Sequence, residues 1–212
     1  KIYFSDKRII LDAIKIKNLS LVNNLKLNII NEFSGYKRHL PFSSFRKAVI
    51  NSKEVNKNDI FFAIKGKNID GNKFVPEAFK KKSSFVVVNR INKNYPSNRQ
   101  IKVKDTLIFL TKCSAILRKN LNTKIISVTG SCGKTTLKEM IGFTLKKISK
   151  TTCSPKSFNN KYGVPLSLFN LKENDEFGVF EVGMDKKNEI DYLTKIIKPD
   201  LGIITNISYA HS

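Results

Sequence analysis

The sequence predicts an α/β protein in two parts: a small α/β unit, then a doubly wound, mainly parallel sheet that carries a phosphate loop. Three observations predict it. Short apolar, β-branched runs alternate along the chain with stretches of helical periodicity. Two of these runs, 177–182 (FGVFEV) and 201–205 (LGIIT), are almost continuously apolar, as strands of a parallel sheet covered on both faces are. The segment 125–139, IISVTGSCGKTTLKE, passes from a β-branched run through a glycine- and lysine-bearing loop into a helical pattern, the context that a phosphate-binding loop requires.

Residues 1–40 are poorly patterned, a mixture of lysine, asparagine and isolated apolar residues, and they form an unassigned leader. A first domain is expected over 41–102. In it, 59–64 (DIFFAI) reads as a buried strand and 65–72 (KGKNIDGN) as a turn-rich connection. A short helix follows over 74–82 with Phe74, Ala78 and Phe79 inward, then a strand at 85–88. Residues 89–100, with Pro96 and several asparagines, read as a linker or exposed loop. A second domain, 103–212, opens on a helix capped by Asp105 that runs to about Asn120, with Leu107, Leu110, Ser114 and Leu117 on one face. After the phosphate-loop strand, the helix over 135–148 presents Leu137, Met140, Ile141, Leu145 and Ile148 to a sheet. Between the last two apolar strands, 188–197 is a helix with Ile190, Leu193 and Ile197 inward, and Pro199 punctuates its exit.

Composition narrows the function classes. The 212 residues can bury a core, and no run approaches the ~18 uncharged apolar residues of a membrane span. Lys7, Arg8, Lys15 and Lys17 break the first apolar stretches, so no secretory signal is read. The net charge of +22 raises nucleic-acid binding, but lysine is spread along the whole chain in short runs such as 80–82 and 146–147. No aromatic-interleaved RNA motif accompanies it. Three cysteines (Cys113, Cys132, Cys153) show no C-x-x-C spacing and read as the reduced thiols of a cytoplasmic protein. The chain begins at Lys1 and ends at Ser212 inside what reads as a functional loop, so it is expected to be incomplete and inactive alone.

The loop carries the chemistry. Gly130 and Gly133 let the backbone curl so that N–H groups over 130–136 (Gly130, Ser131, Cys132, Gly133, Lys134, Thr135, Thr136) point at phosphate oxygens. Lys134 reaches the terminal phosphates, the Thr135 hydroxyl ligates Mg²⁺, and the helix N-terminus adds partial positive charge. A nucleoside triphosphate, ATP, is the expected ligand. The general pattern has a glycine where this chain has Val128, giving T-G-x-x-G-K-T-T. Glu181 ends one apolar strand and His211 follows another, so in a parallel sheet both lie at the loop's edge. The carboxylate is a natural Mg²⁺ ligand; histidine is an unusual one. Asn159 and Asn160, in SFNNKYGVPLSL, suit either turn formation or a hold on phosphate, carboxylate or metal-bound water.

TGSCGKTTLKEM, FNNKYGVPLSL, EVGM and EIDYLTKIIKPDLGIITNISYAH resemble, in order, blocks of the Mur ligases of peptidoglycan synthesis, over about 127–211. A weaker likeness, NSKEVNKNDIFFAIKGKNIDGNKFVPEA, is to the family's UDP-sugar-binding domain and its D-S-R…G-D-x-F-x-A-x-x-G…D-G-H-x-F pattern. Asn51, Lys53 and Asn72 depart from that pattern, and lysine lacks arginine's planar fork. Ser131-Cys132 and Gly183-Met184 favour the dipeptide-adding branch over the diaminopimelate- or lysine-adding one.

The resemblance implies ATP-dependent amide ligation. The γ-phosphate activates the terminal carboxylate of UDP-N-acetylmuramoyl-tripeptide as an acyl phosphate, which the amine of D-alanyl-D-alanine attacks. It implies Lys134 at the β/γ-phosphates, Thr135 and Glu181 on one Mg²⁺, and His211 with a second metal. Asn160, with Asn159, would position substrate or metal-bound water, and Ser52, Lys53, Gly66, Asp70 and Gly71 would hold the UDP-sugar. A monomer without nucleic acid is expected. Another amino-acid ligase of the superfamily, a ligase that binds nucleotide without turnover, and a basic nucleic-acid-binding phosphate-loop protein stand as alternatives.

Overall fold

The computed structural model describes residues 21–34, 45–155, 158–172, 174–184 and 186–208. His211 lies outside the described residues.

Two four-stranded, wholly parallel sheets organise the chain. The first runs in sequence order: β1 (Ala48–Val49), β2 (Ile60–Phe62), β3 (Phe85–Val88) and β4 (Gln100–Lys102). Right-handed crossovers that all step the same way place their connections on one face. There α2 (Val75–Lys80) covers a core of Val49, Val55, Phe61, Ala63, Val75, Ala78, Val86 and Val88. Alternate residues of the same strands, Ala48, Ile60, Phe62, Phe85, Val87 and Ile101, point to the other face. Two long helices close that face: α1 (Leu21–Ser34), through Leu27, Ile29 and Ile30, and α3 (Thr106–Lys119), through Phe109, Leu110, Cys113 and Leu117. Asp105 caps α3 by accepting from Ile108 N–H. Phe74 stands just ahead of α2 and is part-exposed; Val75 takes the inward place expected of it.

The second sheet is ordered β6-β7-β5-β8, from β5 (Lys124–Thr129), β6 (Thr151–Cys153), β7 (Phe177–Glu181) and β8 (Leu201–Ile204). From β5 the chain steps one way to β6 and β7 and the other way to β8, so the winding reverses at β5. Helix α4 (Lys134–Lys146) covers one face; α5 (Gly163–Phe169), α6 (Glu189–Ile197) and part of α3 cover the other. The doubly wound α/β class expected from the sequence is the one observed.

Some details differ from expectation. Helix α4 buries Lys138 and Gly142, while Met140 and Ile148 are exposed. A Cβ on Gly142 would strike Cys153 Sγ, so the glycine allows the close approach of helix to sheet and sets which face docks. Strand β8 pairs with β5 alone among the described residues, and Leu201 and Ile204 are exposed rather than covered on both faces. Five further helices and strands were not expected. Helix α1 lies in the stretch read as an unassigned leader, β1 precedes the first expected strand, β4 starts at the last residue of the segment read as linker, β6 is a polar three-residue strand, and α5 begins at Gly163. Pro165 is tolerated because the first turn of a helix has no N–H bond to lose. No helix among the described residues is long and apolar enough to cross a membrane.

Candidate functional site

The phosphate loop lies at the carboxyl end of β5, where the winding reverses. Val128, the departure from the general glycine pattern, is wholly buried within β5, in register with Glu181 on one side and Ile203 on the other. The strand thus continues to Thr129, and the turn begins only at Gly130. Gly130 (φ 133°) and Gly133 (φ 78°) occupy backbone conformations that L side chains rarely adopt. A Cβ on Gly130 would also strike the Thr205 hydroxyl, because the loop leaving β8 lies directly against it.

That β8 loop grips the phosphate loop through several bonds. Ser131 N–H donates to Asn206 O (3.0 Å) and Cys132 N–H to Asn206 Oδ1 (2.9 Å). The Thr205 hydroxyl donates to Cys132 O (2.5 Å). Ser131 and Ser208 exchange two bonds of 3.0 and 2.9 Å. Lys134 Nζ donates to Gly130 O (2.5 Å) and Ser131 O (3.1 Å), so the ammonium lies over the loop. The first turn of α4 begins at Lys134 and carries Thr135 and Thr136. Asn206 stands in no local motif of the sequence; its partners are set by tertiary contact between distant segments.

Glu181 is the centre of the second cluster. It ends β7 with 4 % of its surface exposed, on the sheet face that α4 covers. Thr135 Oγ1 donates to Glu181 Oε2 (2.7 Å), and Asn159 Nδ2 donates to Oε1 (2.9 Å). Glu181 N–H donates to Ser154 Oγ (3.1 Å). Asn159 is itself fixed, since Gly183 N–H donates to its carbonyl (2.6 Å). Of the paired asparagines, Asn159 therefore meets the carboxylate. Asn160 Oδ1 accepts from Tyr162 N–H (3.0 Å) and Gly163 N–H (3.1 Å), organising the start of α5.

The chemistry of these donors fits Mg²⁺. A hydroxyl and a carboxylate, both hard oxygen donors, converge within hydrogen-bond distance beside a helix N-terminus suited to phosphate. Among the described residues no group of three or more His, Cys, Asp or Glu side chains gathers as a metal cluster. Two protein oxygens with phosphate and water completing the shell is the usual way that a protein holds Mg²⁺.

The first-domain candidates sit at the carboxyl edge of the other sheet and are engaged with one another. Ser52 Oγ donates to Glu77 Oε2 (2.6 Å), and that bond, ahead of nearby lysines, holds the Glu77 carboxyl below its usual range. Lys53 lies in the same short 3₁₀ turn, its N–H donating to Asn51 Oδ1 (3.0 Å). Gly66 N–H donates to Ile69 O (2.8 Å) and Gly71 N–H to Ile64 O (2.9 Å), closing a tight loop. A Cβ on Gly71 would lie 2.5 Å from the Ile64 carbonyl oxygen, so only glycine fits. Asp70 accepts from Asn72 Nδ2 (2.6 Å) and N–H (3.0 Å), and Arg90 Nη2 pairs with it at 2.8 Å. The Asn72 side chain first, then its N–H, lowers the Asp70 pKa, with Arg90 assisting. Arg90 follows β3 and carried no motif that would have marked it.

A cleft of about 600 Å³ runs between the edge strands β1 and β6, lined by Lys26, Arg46, Lys47, Lys146 and Lys172 among others. It contains no residue of the phosphate loop or of the Glu181 cluster.

A parallel sheet with a glycine-lysine-threonine loop at its reversal point and a strand-end glutamate bound to the loop threonine defines a phosphate-loop nucleotide domain. Residues 128–212 match the Mur ligase middle domain, and the chain belongs to the Mur ligase family. Within that family its similarity is to the dipeptide-adding branch. It is 35% identical over 170 residues to the UDP-N-acetylmuramoyl-tripeptide–D-alanyl-D-alanine ligase of Buchnera aphidicola (subspecies Baizongia pistaciae), covering 79% of this chain and 36% of that protein. The same enzyme of Bacillus subtilis is 37% identical over 161 residues, covering 76% and 35%. Among solved structures, MurF from Acinetobacter baumannii superposes with a TM-score of 0.75 at 30% identity, over 88% of this chain and 41% of that one. MurF from Thermotoga maritima in complex with ADP gives 0.65 at 34% identity, over 78% and 38%. The chain spans little more than a third of the length of the curated relatives it matches.

Proposed function

We propose that this chain is the nucleotide-binding front part of an ATP-dependent ligase that joins D-alanyl-D-alanine to UDP-N-acetylmuramoyl-tripeptide through an acyl phosphate. The observation that carries the reading is the Thr135–Glu181–Asn159 cluster beside the phosphate loop, in a chain similar to ligases of that name. A carboxylate is a poor electrophile until one of its oxygens becomes a phosphate leaving group, and phosphoryl transfer needs cationic charge fixed in advance.

In this reading the N–H groups of 130–136 and the α4 N-terminus hold the β- and γ-phosphates. Lys134 leaves the Gly130 and Ser131 carbonyls to meet them. Thr135 and Glu181 hold Mg²⁺, which when bound offsets charge across the phosphates. Asn159 fixes the Glu181 carboxylate, and Asn160 shapes the loop that carries it. His211 is assigned to a second metal by family likeness. Ser52, Lys53, Gly66, Asp70 and Gly71 lie at a carboxyl edge, where ligands of parallel sheets bind, and are assigned to the UDP-sugar. We divide the chain into a leader (1–40) whose helix α1 packs on the first sheet, a UDP-sugar domain (41–102) and the start of the ATP-binding domain (103–212). A monomeric, cytoplasmic enzyme goes with these substrates.

The test is Lys134→Ala in the full-length protein, assayed for ATP-dependent formation of the pentapeptide product. Loss of about 100-fold or more in kcat is expected; near-normal turnover overturns the proposal. An acceptor screen in which another amino acid is preferred to D-alanyl-D-alanine would move it to a different ligase of the family.

A further inference from the structure

The side chain of Lys138 is wholly buried, and nothing in the proposed mechanism uses it. It lies one helical turn beyond Lys134 and three residues beyond Thr135, so the stripe of α4 that meets the nucleotide site continues through it to Gly142. Its Nζ donates to Ser154 O (2.8 Å) and pairs with the half-exposed Glu139 carboxylate at 3.1 Å. Ser154, just past β6, is almost fully buried as well. Its N–H donates to Val179 O (2.9 Å), and its hydroxyl accepts from Glu181 N–H (3.1 Å). A continuous chain of bonds thus runs from the α4 ammonium through both oxygens of Ser154 to the backbone of the strand-end glutamate. The Thr135 hydroxyl closes the circuit from the same helix onto the Glu181 carboxylate.

Removing an ammonium from water costs several kcal/mol, and an apolar side chain of like volume would fill the same space at lower cost. Core packing therefore does not account for a lysine here. A link between the phosphate-loop helix and the glutamate does. We propose that Lys138 is a positioning residue: it fixes Ser154 and thereby the end of β7, holding the Glu181 carboxylate at the distance from Thr135 that a divalent cation on bound nucleotide requires. The inference rests on the nucleotide reading above. A positioning role predicts a loss confined to the metal-dependent part of binding, whereas a purely structural role weakens binding with and without the cation alike.

The experiment measures ADP affinity of the intact protein by calorimetry, once with Mg²⁺ and once with EDTA, and takes the ratio of the Kd in EDTA to the Kd in Mg²⁺. Lys138→Met, shown to be folded by circular dichroism, is expected to lower the ratio about tenfold, as loss of an outer support of a metal site does. Its Kd in EDTA should stay within about threefold of the parent, and Lys138→Arg should restore most of the ratio. Ser154→Ala removes the hydroxyl under Glu181 N–H, is expected to give the same loss, and decides the matter if Lys138→Met does not fold. An unchanged ratio in a folded variant, or an equal loss in both conditions, overturns the positioning role. Failure of the parent protein to bind ADP in either condition overturns the nucleotide reading itself, and with it this one.

Discussion

The two sheets are built alike, from four parallel strands each, yet their carboxyl edges are spent differently. The first sheet winds in one direction, so its loops follow one another along a single face and fill the edge with their own partners. Ser52 is bonded to Glu77, and Asp70 to Asn72 and Arg90. The second sheet reverses at β5, with α4 leaving to one face and α6 to the other. Connections that diverge leave a crevice at the strand between them, and the phosphate loop lies there. Strand order, more than strand composition, decides which edge carries the phosphate loop.

The comparison breaks most visibly if one glutamate from each site, Glu181 at the end of β7 and Glu77 in α2, is exchanged for glutamine. Glu181→Gln removes the negative charge from the Thr135 pair and is expected to lower the ligase kcat by about 100-fold or more, with the Mg²⁺ dependence of ADP binding lost. Glu77→Gln leaves ADP affinity unchanged, because its partner Ser52 belongs to the other edge. Equal effects on ADP affinity from the two substitutions would show that the edges are not functionally distinct.

How much of this is legible in the sequence follows from where local pattern and tertiary contact agree. They agree at β5, β7 and the phosphate loop, where β-branched strands, glycines at positive φ and the strand-end Glu181 each have a local signature. They disagree along α1. Its buried stripe includes Lys26, whose ammonium donates to Leu171 O (2.7 Å) over the Phe45 and Phe169 rings, so the helical period is masked by a charge in a core position. Burial pulls the Lys26 pKa down to about 8, partly opposed by Asp175. The same masking explains α4, where Lys138 and Gly142, poor hydrophobic markers, take the buried positions. Asn206 and Arg90 have no local signature, since their roles exist only once distant loops meet.

The opposite, amino-terminal edges sharpen the comparison, because each carries an arginine–aspartate clamp. Asp59, just ahead of β2, has no exposed surface. It accepts from Arg46 Nε (2.9 Å) and Nη2 (2.7 Å) and from Asn56 N–H (2.9 Å). Asp59→Asn sets an amide NH₂ against these donors and is expected to cost about 3 kcal/mol in urea unfolding. A cost below about 1 kcal/mol would show that the first sheet does not depend on the clamp.

The second clamp is wetter and weaker. Asp200, just ahead of β8, accepts from Ile125 N–H (2.8 Å) and Arg118 Nη2 (2.8 Å), with Lys124 at 3.3 Å. Its side chain is 36% exposed, so solvent screens the pair, and Asp200→Asn should cost only about 0.5 to 1 kcal/mol. The Ile125 N–H first, then Lys124 and Arg118, hold its carboxyl below the ordinary value. A folded pKa below the unfolded one means that the unfolded chain takes up the proton first as pH falls. The contribution is therefore complete above about pH 5 and fades as pH drops through 4 and below. Parent and Asp200→Asn unfolding curves should accordingly be offset at pH 7 and draw together as pH falls below about 4. Curves that coincide at every pH over that range would mean that the charge on Asp200 is not what ties β8 to β5. The neutral hydrogen bond to Ile125, which asparagine can also accept, would then be the tie.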